Sequence, residues 1–407
     1  MKPVYILEGK RIPTGRFGGA YKDSSAVDLG AQLIEKLIDY VLISRSDIEG
    51  VYIGNVVSSG LGQHPANQIK IRAGLRHATD ASNFSKVCSS SFLSAEYGYL
   101  KIATGDMDAV IVGGIESMSN APFLMRRLHG VYDPLTFAYT FSYLQTALQE
   151  KNADPLMGQY AVDSLQSEGL CDALYPGFPV MGKLAESIIR DHEISRDVLD
   201  AYAFESYSRA GSAREKISRQ LLHIKNSPQF DEGWREPDRD KIRSRPPVFC
   251  DNGRLTVANS SQLSDGASAL ILISEKQAVG CIKKPMARIV AFGHAGLEPR
   301  EFLRAPTLAI TRVVEKAKLR LQDIDLFEIN EAFPPAPLFA IKELGLSPEK
   351  VNVWGGAIAN GHPLGASGAK ILVNLCYALQ DMNGRYGIAT TCHGGGGAVA
   401  VLIENCN

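Results

Sequence analysis

Residues 352–370, NVWGGAIANGHPLGASGAK, constrain the fold more than any other stretch of the chain. Five glycines, a proline and a histidine stand there among small residues, with few bulky side chains after Trp354. Glycine gives up more conformational entropy on folding than any other residue, so this density implies positive-φ positions or close backbone approach. From Ser367 onward Ile371, Leu372, Leu375 and Cys376 recur at helical spacing, which puts His362 at a loop-to-helix junction. An imidazole among small residues leaves room for a substrate. A buried turn whose histidine is merely hydrogen-bonded explains it equally well.

Earlier segments read as alternating strands and helices. Residues 4–8 (VYILE) and 51–57 are strands, 28–38 (DLGAQLIEKLI) is an amphipathic helix, and 107–113 (MDAVIVG) is a short apolar run suited to a central strand. Between them Cys88 opens SSSF and an apolar-periodic run that Gly105 closes. This order predicts a parallel sheet covered by helices. Residues 115–250 have a different texture, aromatic and charged without strand alternation. Helices are expected over 185–190 and over 196–210, the latter with Ser195 as N-cap. This stretch reads as an inserted loop domain. From Ala287 the first pattern returns with a strand at 288–291, a helix at 308–317 and terminal strands at 387–392 and 398–404.

The segment DIDLFEI at 323–329 echoes DIEGVYI at 47–53, and each precedes a turn into a helix, Cys88 in one half and His362 in the other. A duplicated α/β unit is the economical account. Residues 1–115 form the first part of an N-terminal half, 116–250 the inserted domain, 251–275 the remainder of that half and 276–407 the C-terminal half. If the halves pack about a pseudo-twofold axis, two helix N-termini converge on one site.

Composition limits the chemistry. A formal charge of -1 gives no electrostatic reason to expect nucleic acid or a membrane surface as partner. No apolar run approaches the ~20 residues needed to cross a bilayer. Seven cysteines, an odd number without any Cys-x-x-Cys pair, point to reduced thiols in a cytoplasmic setting and against a metal site. Among them Cys88 heads a helix, where backbone N–H groups favour a thiolate. Cys392 and His393 precede four glycines whose N–H groups are free to face a ligand. Asn330-Glu331-Ala332-Phe333 follows a strand. Taken singly, each has an ordinary structural reading as core cysteine, turn or helix cap.

Together, VCSSSFLSAEYGYLKIATGDMDAVIVGGIESMS, LTVANSSQLSDGASAL, INEAFPPA, NVWGGAIANGHPLGASGAK and TTCHGGGGAVAVLIE resemble the thiolase family, nearly end to end. The resemblance implies a five-layered α-β-α-β-α core from two α/β halves with an inserted loop domain. It implies an acyltransferase that condenses acetyl-CoA or cleaves 3-ketoacyl-CoA, with coenzyme A and acyl-CoA as substrates and no permanent cofactor. Cys88 would take the acyl group, His362 would activate it, and Cys392 would move the α-proton. His362 with a water held by Asn330, and the N–H groups of Cys88 and Gly394, would stabilise two oxyanions. Ser261, Ala332 and Phe333 match pantetheine contacts, and Met181 matches a residue of the acyl pocket.

Lys241 and Arg243, with Arg245 beside them, are expected on the nucleotide phosphates of coenzyme A, a solvated basic face being the other reading. A homodimer or homotetramer is implied, assembled through an edge strand near 83–87. The chain departs from the family at Val180, where short-chain members carry histidine, and at Ser89-Ser90-Ser91, where alanine and glycine are usual. It also differs at His393, read here as structural, and 133–167 match nothing recognisable. A decarboxylating condensing enzyme and a silent CoA-binding scaffold are the alternatives. The paired cysteines argue against the first and the intact Cys88, His362, Cys392 and Asn330 against the second.

Overall fold

The structure, a computed structural model, describes residues 1–125, 161–165 and 181–406. Val180 and most of 133–167 lie outside the described residues.

The first half is built from β1 (Val4–Arg11), β2 (Gly15–Arg16), β3 (Gly50–Gly54), β4 (Asp80–Phe84), β5 (Ala109–Ser117) and β8 (Ser264–Ser274). Its helices are α1 (Ala26–Val41), α2 (Pro65–Arg72) and α3 (Ser90–Thr104). Two short strands, β6 (Phe123–Met125) and β7 (Ala161–Asp163), pair with each other and, among the described residues, with no other strand. The helices of the inserted region include α4 (Met181–Asp191), α5 (Arg196–Ser212) and α6 (Arg239–Arg243). The second half has β9 (Ala287–Gly296), β10 (Leu326–Ile329), β11 (Tyr386–His393) and β12 (Gly397–Asn405), with helices α7 (Ala305–Ala317), α8 (Pro335–Leu344) and α9 (Ser367–Asp381).

The strands run in the order β10-β11-β12-β9-β1-β8-β5-β3-β4, with β2 alongside β8. Within the sheet, among the described residues, the two halves pair through Tyr5 and Ile6 on β1 opposite Arg288 and Ala287 on β9. On either side of that seam the pairing repeats. β1–β8 is antiparallel, β8–β5 antiparallel and β5–β3 parallel. Likewise β9–β12 is antiparallel, β12–β11 antiparallel and β11–β10 parallel. Even β4, parallel to β3, has a counterpart in Val351, which bridges Phe327 of β10 in parallel. The duplication read from DIEGVYI and DIDLFEI is thus present in the register itself.

Side-chain alternation along these strands sorts the core into layers. On β8, Ala269, Ile271 and Ile273 pack with Leu33, Ile34 and Leu37 of α1, whereas Leu270 and Leu272 pack with α3 and α9. On β12, Ala398, Ala400 and Leu402 face Ile310 and Val313 of α7, and Val399, Val401 and Ile403 face α9. Helix α9 is buried nearly all round and lies with α3 between the two sheet halves, which makes the five layers. Each large aliphatic side chain enclosed there contributes about 1.5–3 kcal/mol.

Three expectations are corrected. The sheet is mixed rather than parallel, because β1–β8, β8–β5, β9–β12 and β12–β11 are antiparallel. The edge strand is Asp80–Phe84, not 83–87, because Val87 adopts φ 49° and ends the extended backbone. Strand β5 runs to Ser117, beyond the boundary expected at 115, with Glu116 buried on it. Helix α5 starts as read, Ser195 Oγ accepting the Val198 N–H.

Candidate active site

The turn into α3 and the loop before α9 bring Cys88 and His362 together. Cys88 Sγ lies 3.2 Å from His362 Nε2, both residues being buried. The glycine-rich loop makes this approach possible. A Cβ on Gly114 would stand 2.0 Å from the Gly365 carbonyl oxygen, and Gly361 takes φ +82° just before His362. Neither position accepts an ordinary side chain without displacing the loop.

Hydrogen bonds fix the imidazole. The His362 N–H donates to Gln262 O at 3.1 Å and to Ser264 Oγ at 3.0 Å. Ser367 Oγ donates to Pro363 O at 2.9 Å, so at 2.6 Å from His362 Nδ1 it accepts that ring's proton. The proton therefore sits on Nδ1, and Nε2 presents a lone pair to the Cys88 thiol. Burial, assisted by the nearby charge of Lys370, lowers the pKa of His362 to about 3, which keeps it neutral as a base must be. Lys370 itself is buried, its Nζ donating to Asn360 O, Gly361 O and Thr14 Oγ1 at 2.6, 2.9 and 3.0 Å, and burial lowers its pKa to about 7.

Asn330, Cys392 and Gly394 approach from the second half. The Asn330 N–H donates to Thr390 O at 2.9 Å, setting it beside β11, and its Nδ2 reaches to 3.5 Å from His362 Nε2. Cys392, on β11, is buried in an apolar cluster with Ala332, Phe333 and Leu184, against which Met181 and Phe249 pack. That burial pushes its thiol up to about 12. A Cβ on Gly394 would stand 3.5 Å from Met181 Sδ and 3.7 Å from Val87, so the glycine run passes close to the Cys88 turn. His393 turns its Nδ1 to the Gly394 carbonyl at 2.8 Å. Glu331, next to Asn330, is a structural carboxylate accepting from Tyr202, Ser206, Asn352 and the Ile358 N–H.

A cleft of about 640 Å³ adjoins this group, within the size range of ligand pockets. Ser260, Ser261, Gln262 and Leu263 line it, and the same segment holds His362 and donates the Ser261 N–H to Ala332 O at 3.2 Å. Phe249, also in the wall, meets Phe333 edge-to-face with centroids 5.9 Å apart. Of the four residues expected on the substrate, Ser261 lines the cleft, whereas Met181, Ala332 and Phe333 lie in the apolar cluster around Cys392. Lys241 and Arg245 line the cleft, but Arg243 does not, because it leaves the opposite side of the short helix α6 and pairs with Asp197 at 3.2 Å. Arg16, Phe17 and Arg235 line the cleft and were not foreseen, since a two-residue strand and the irregular segment around 235 have no periodicity to mark them. Ser367 and Glu116 were also missed. Glu116 accepts from the Val56, Val57 and Gly365 N–H groups and from Asn55, tying the His362 loop to the first half. Burial raises its pKa to about 7 against those bonds. Among the described residues no cluster of metal-binding side chains is present, and no helix is long and apolar enough to cross a membrane.

Known proteins are similar to this chain along nearly its whole length. The acetyl-CoA acetyltransferase of Schizosaccharomyces pombe is 37% identical, over 98% of this chain and 98% of its own. The mitochondrial acetyl-CoA acetyltransferase of Rattus norvegicus is 36% identical, over 99% and 91%. Among solved structures, a thiolase from Ascaris suum in complex with coenzyme A superposes with a TM-score of 0.87 at 36% identity, covering 99% of this chain and 100% of that one. Human mitochondrial 3-ketoacyl-CoA thiolase in complex with CoA gives 0.88 at 32%, covering 100% and 98%. The family models for the thiolase N-terminal domain, matching residues 4–276, and the thiolase C-terminal domain, matching 283–405, meet near the β1–β9 seam of the fold, and the chain belongs to the thiolase family.

Proposed function

We propose that this protein is an acetyl-CoA C-acyltransferase, joining acetyl units by Claisen condensation or cleaving 3-ketoacyl-CoA with free coenzyme A. The observation that carries this reading is the buried contact of 3.2 Å between Cys88 Sγ and the unprotonated Nε2 of His362. A neutral imidazole held by Ser367 takes the thiol proton, and the thiolate attacks the thioester carbonyl. Cys392 handles the proton at the α-carbon, while Asn330 with His362, and the N–H groups of Cys88 and Gly394, stabilise the oxyanions. Names of relatives at this similarity include both acetyltransferase and 3-ketoacyl-CoA thiolase, so the reading is the reaction common to both. The test is cleavage of acetoacetyl-CoA by free CoA, followed by absorbance of the enolate. No loss of absorbance with folded protein would overturn it.

Coenzyme A is read into the 640 Å³ cleft, with its phosphates toward Lys241 and Arg245. Lys241→Ala is expected to raise KM for CoA by about three- to tenfold at low salt, a charge-assisted contact that salt weakens. Arg243→Ala is expected to leave KM unchanged. Equal KM values for CoA and dephospho-CoA in the unaltered protein would remove the phosphate contact.

The reading includes a homodimer or a dimer of dimers in the cytoplasm. Strand β4 ends the sheet order with Asp80 and Asn83 exposed, and an open strand edge favours pairing with a second copy. Such an interface lies just before the Cys88 turn and would steady it. Sedimentation at micromolar concentration should show no monomer; a stable, fully active monomer would contradict the assembly.

A further inference from the structure

Ser89, Ser90 and Ser91 follow the nucleophile, and all three are fully buried. Their hydroxyls go in three directions. Ser90 serves its own turn, donating to Val87 O at 2.6 Å and accepting the Lys86 N–H at 2.8 Å. Ser89 Oγ lies 2.6 Å from Thr391 Oγ1, on the residue that precedes Cys392. Ser91 Oγ accepts the Ala369 N–H at 2.9 Å, in the first turn of α9 and so just behind His362.

Two helix ends show that these bonds are not incidental. Ser89 occupies the N-cap of α3, where a serine ordinarily accepts an N–H of its own helix, yet it makes no cap bond and turns to Thr391 instead. Helix α9 has Ala366 at its N-cap, which has no side-chain oxygen to offer, and its Ala369 N–H is one of the orphan donors of a helix start. Ser91, from another helix, supplies the missing acceptor. Space around it is tight, since a Cβ on Gly368 would stand 3.0 Å from Ser91 Oγ and one on Gly54 2.4 Å from the Ser91 nitrogen.

We propose that Ser89 and Ser91 are positioning residues that set Cys88 separately against its two partners. Ser89 registers the nucleophile turn on the strand that carries Cys392. Ser91 registers it on the helix that follows His362. The proposal rests on the roles given above to Cys88, His362 and Cys392. It divides the reaction, because acylation of Cys88 needs the His362 register and carbon–carbon bond formation also needs the Cys392 register. A displacement near 1 Å at a reacting centre costs about a hundredfold in rate, so losing one such bond should be visible in one half-reaction.

Rapid-quench mass spectrometry separates the halves: acetylation of Cys88 by acetyl-CoA, with CoA as the leaving group, and conversion of preformed acetyl-enzyme by a second acetyl-CoA to acetoacetyl-CoA. Ser89→Ala is expected to slow the second step about tenfold and to leave the first within about twofold. Ser91→Ala is expected to slow the first step about tenfold. Thr391→Val removes the Ser89 link from the other side and should reproduce the Ser89→Ala split, which keeps the test available if that variant does not fold. Equal slowing of both steps in the Ser89 and Thr391 variants, or no slowing in any variant, would overturn the proposal. Absence of Cys88 acetylation in the unaltered protein is a different result, and it would overturn the functional reading instead.

Discussion

Replacing Cys88 by alanine is expected to abolish acyl-enzyme formation and to lower turnover by about a thousandfold or more, the scale seen when a covalent nucleophile is removed. Among the described residues no second group can take its place at His362 Nε2, since Asn330 Nδ2 at 3.5 Å is an amide without a nucleophilic pair. Mass spectrometry after incubation with acetoacetyl-CoA should find an acetyl group on the Cys88 peptide of the unaltered protein and none in Cys88→Ala. An adduct that persists in the variant would refute the assignment. The same assay carries a pH prediction. With its pKa lowered from 6.5 to about 3 by burial, His362 stays neutral well below pH 6, so acylation should show no loss with a midpoint near 6.5. The unfolded chain binds a proton on this residue from about pH 6.5 downward and the folded one does not, so stability falls as pH drops through that window. A midpoint near 6.5 in the acylation rate would mean an imidazole titrating as if exposed.

What could be read from the sequence follows physical range. Local patterns carried the helices and most strands, because apolar spacing reports which face is buried. The duplicated halves were legible from DIEGVYI and DIDLFEI, which became β3 and β10 in matching registers. The glycines of 352–370 announced close approach, but not what approached. The Gly365 carbonyl sits against Gly114, a contact between residues far apart in the chain that no local pattern encodes. Ser367 escaped for the same reason: a serine at a helix start reads as a cap, whereas here it fixes the His362 tautomer. Arg243 was grouped with Lys241 by sequence proximity alone. Residues two apart on a helix do not face the same way, and only one of this pair lines the cleft.

Cys392→Ser separates the two thiols most sharply. Cys392 is buried at 1% exposure among Ala332, Phe333 and Leu184, and this apolar surrounding pushes its thiol up to about 12. The group therefore rests protonated, ready to deliver a proton to a carbanion in the cleavage direction. Its conjugate thiolate is a stronger base than that of an ordinary cysteine. That suits it to a carbon acid as weak as the α-position of a thioester, because general acid–base catalysis works best with matched partners. Serine has nearly the same shape, yet its hydroxyl gives up a proton far less readily, so the step slows without emptying the site. The expected outcome is a loss of about 10²–10⁴-fold in condensation and in exchange of acetyl α-protons with deuterated water. Acetylation of Cys88 by acetyl-CoA, which breaks no carbon–carbon bond, should continue essentially unchanged, because its base is His362. If α-proton exchange survives at the original rate in Cys392→Ser, the proton is carried by another group and the division of labour between the two cysteines is wrong.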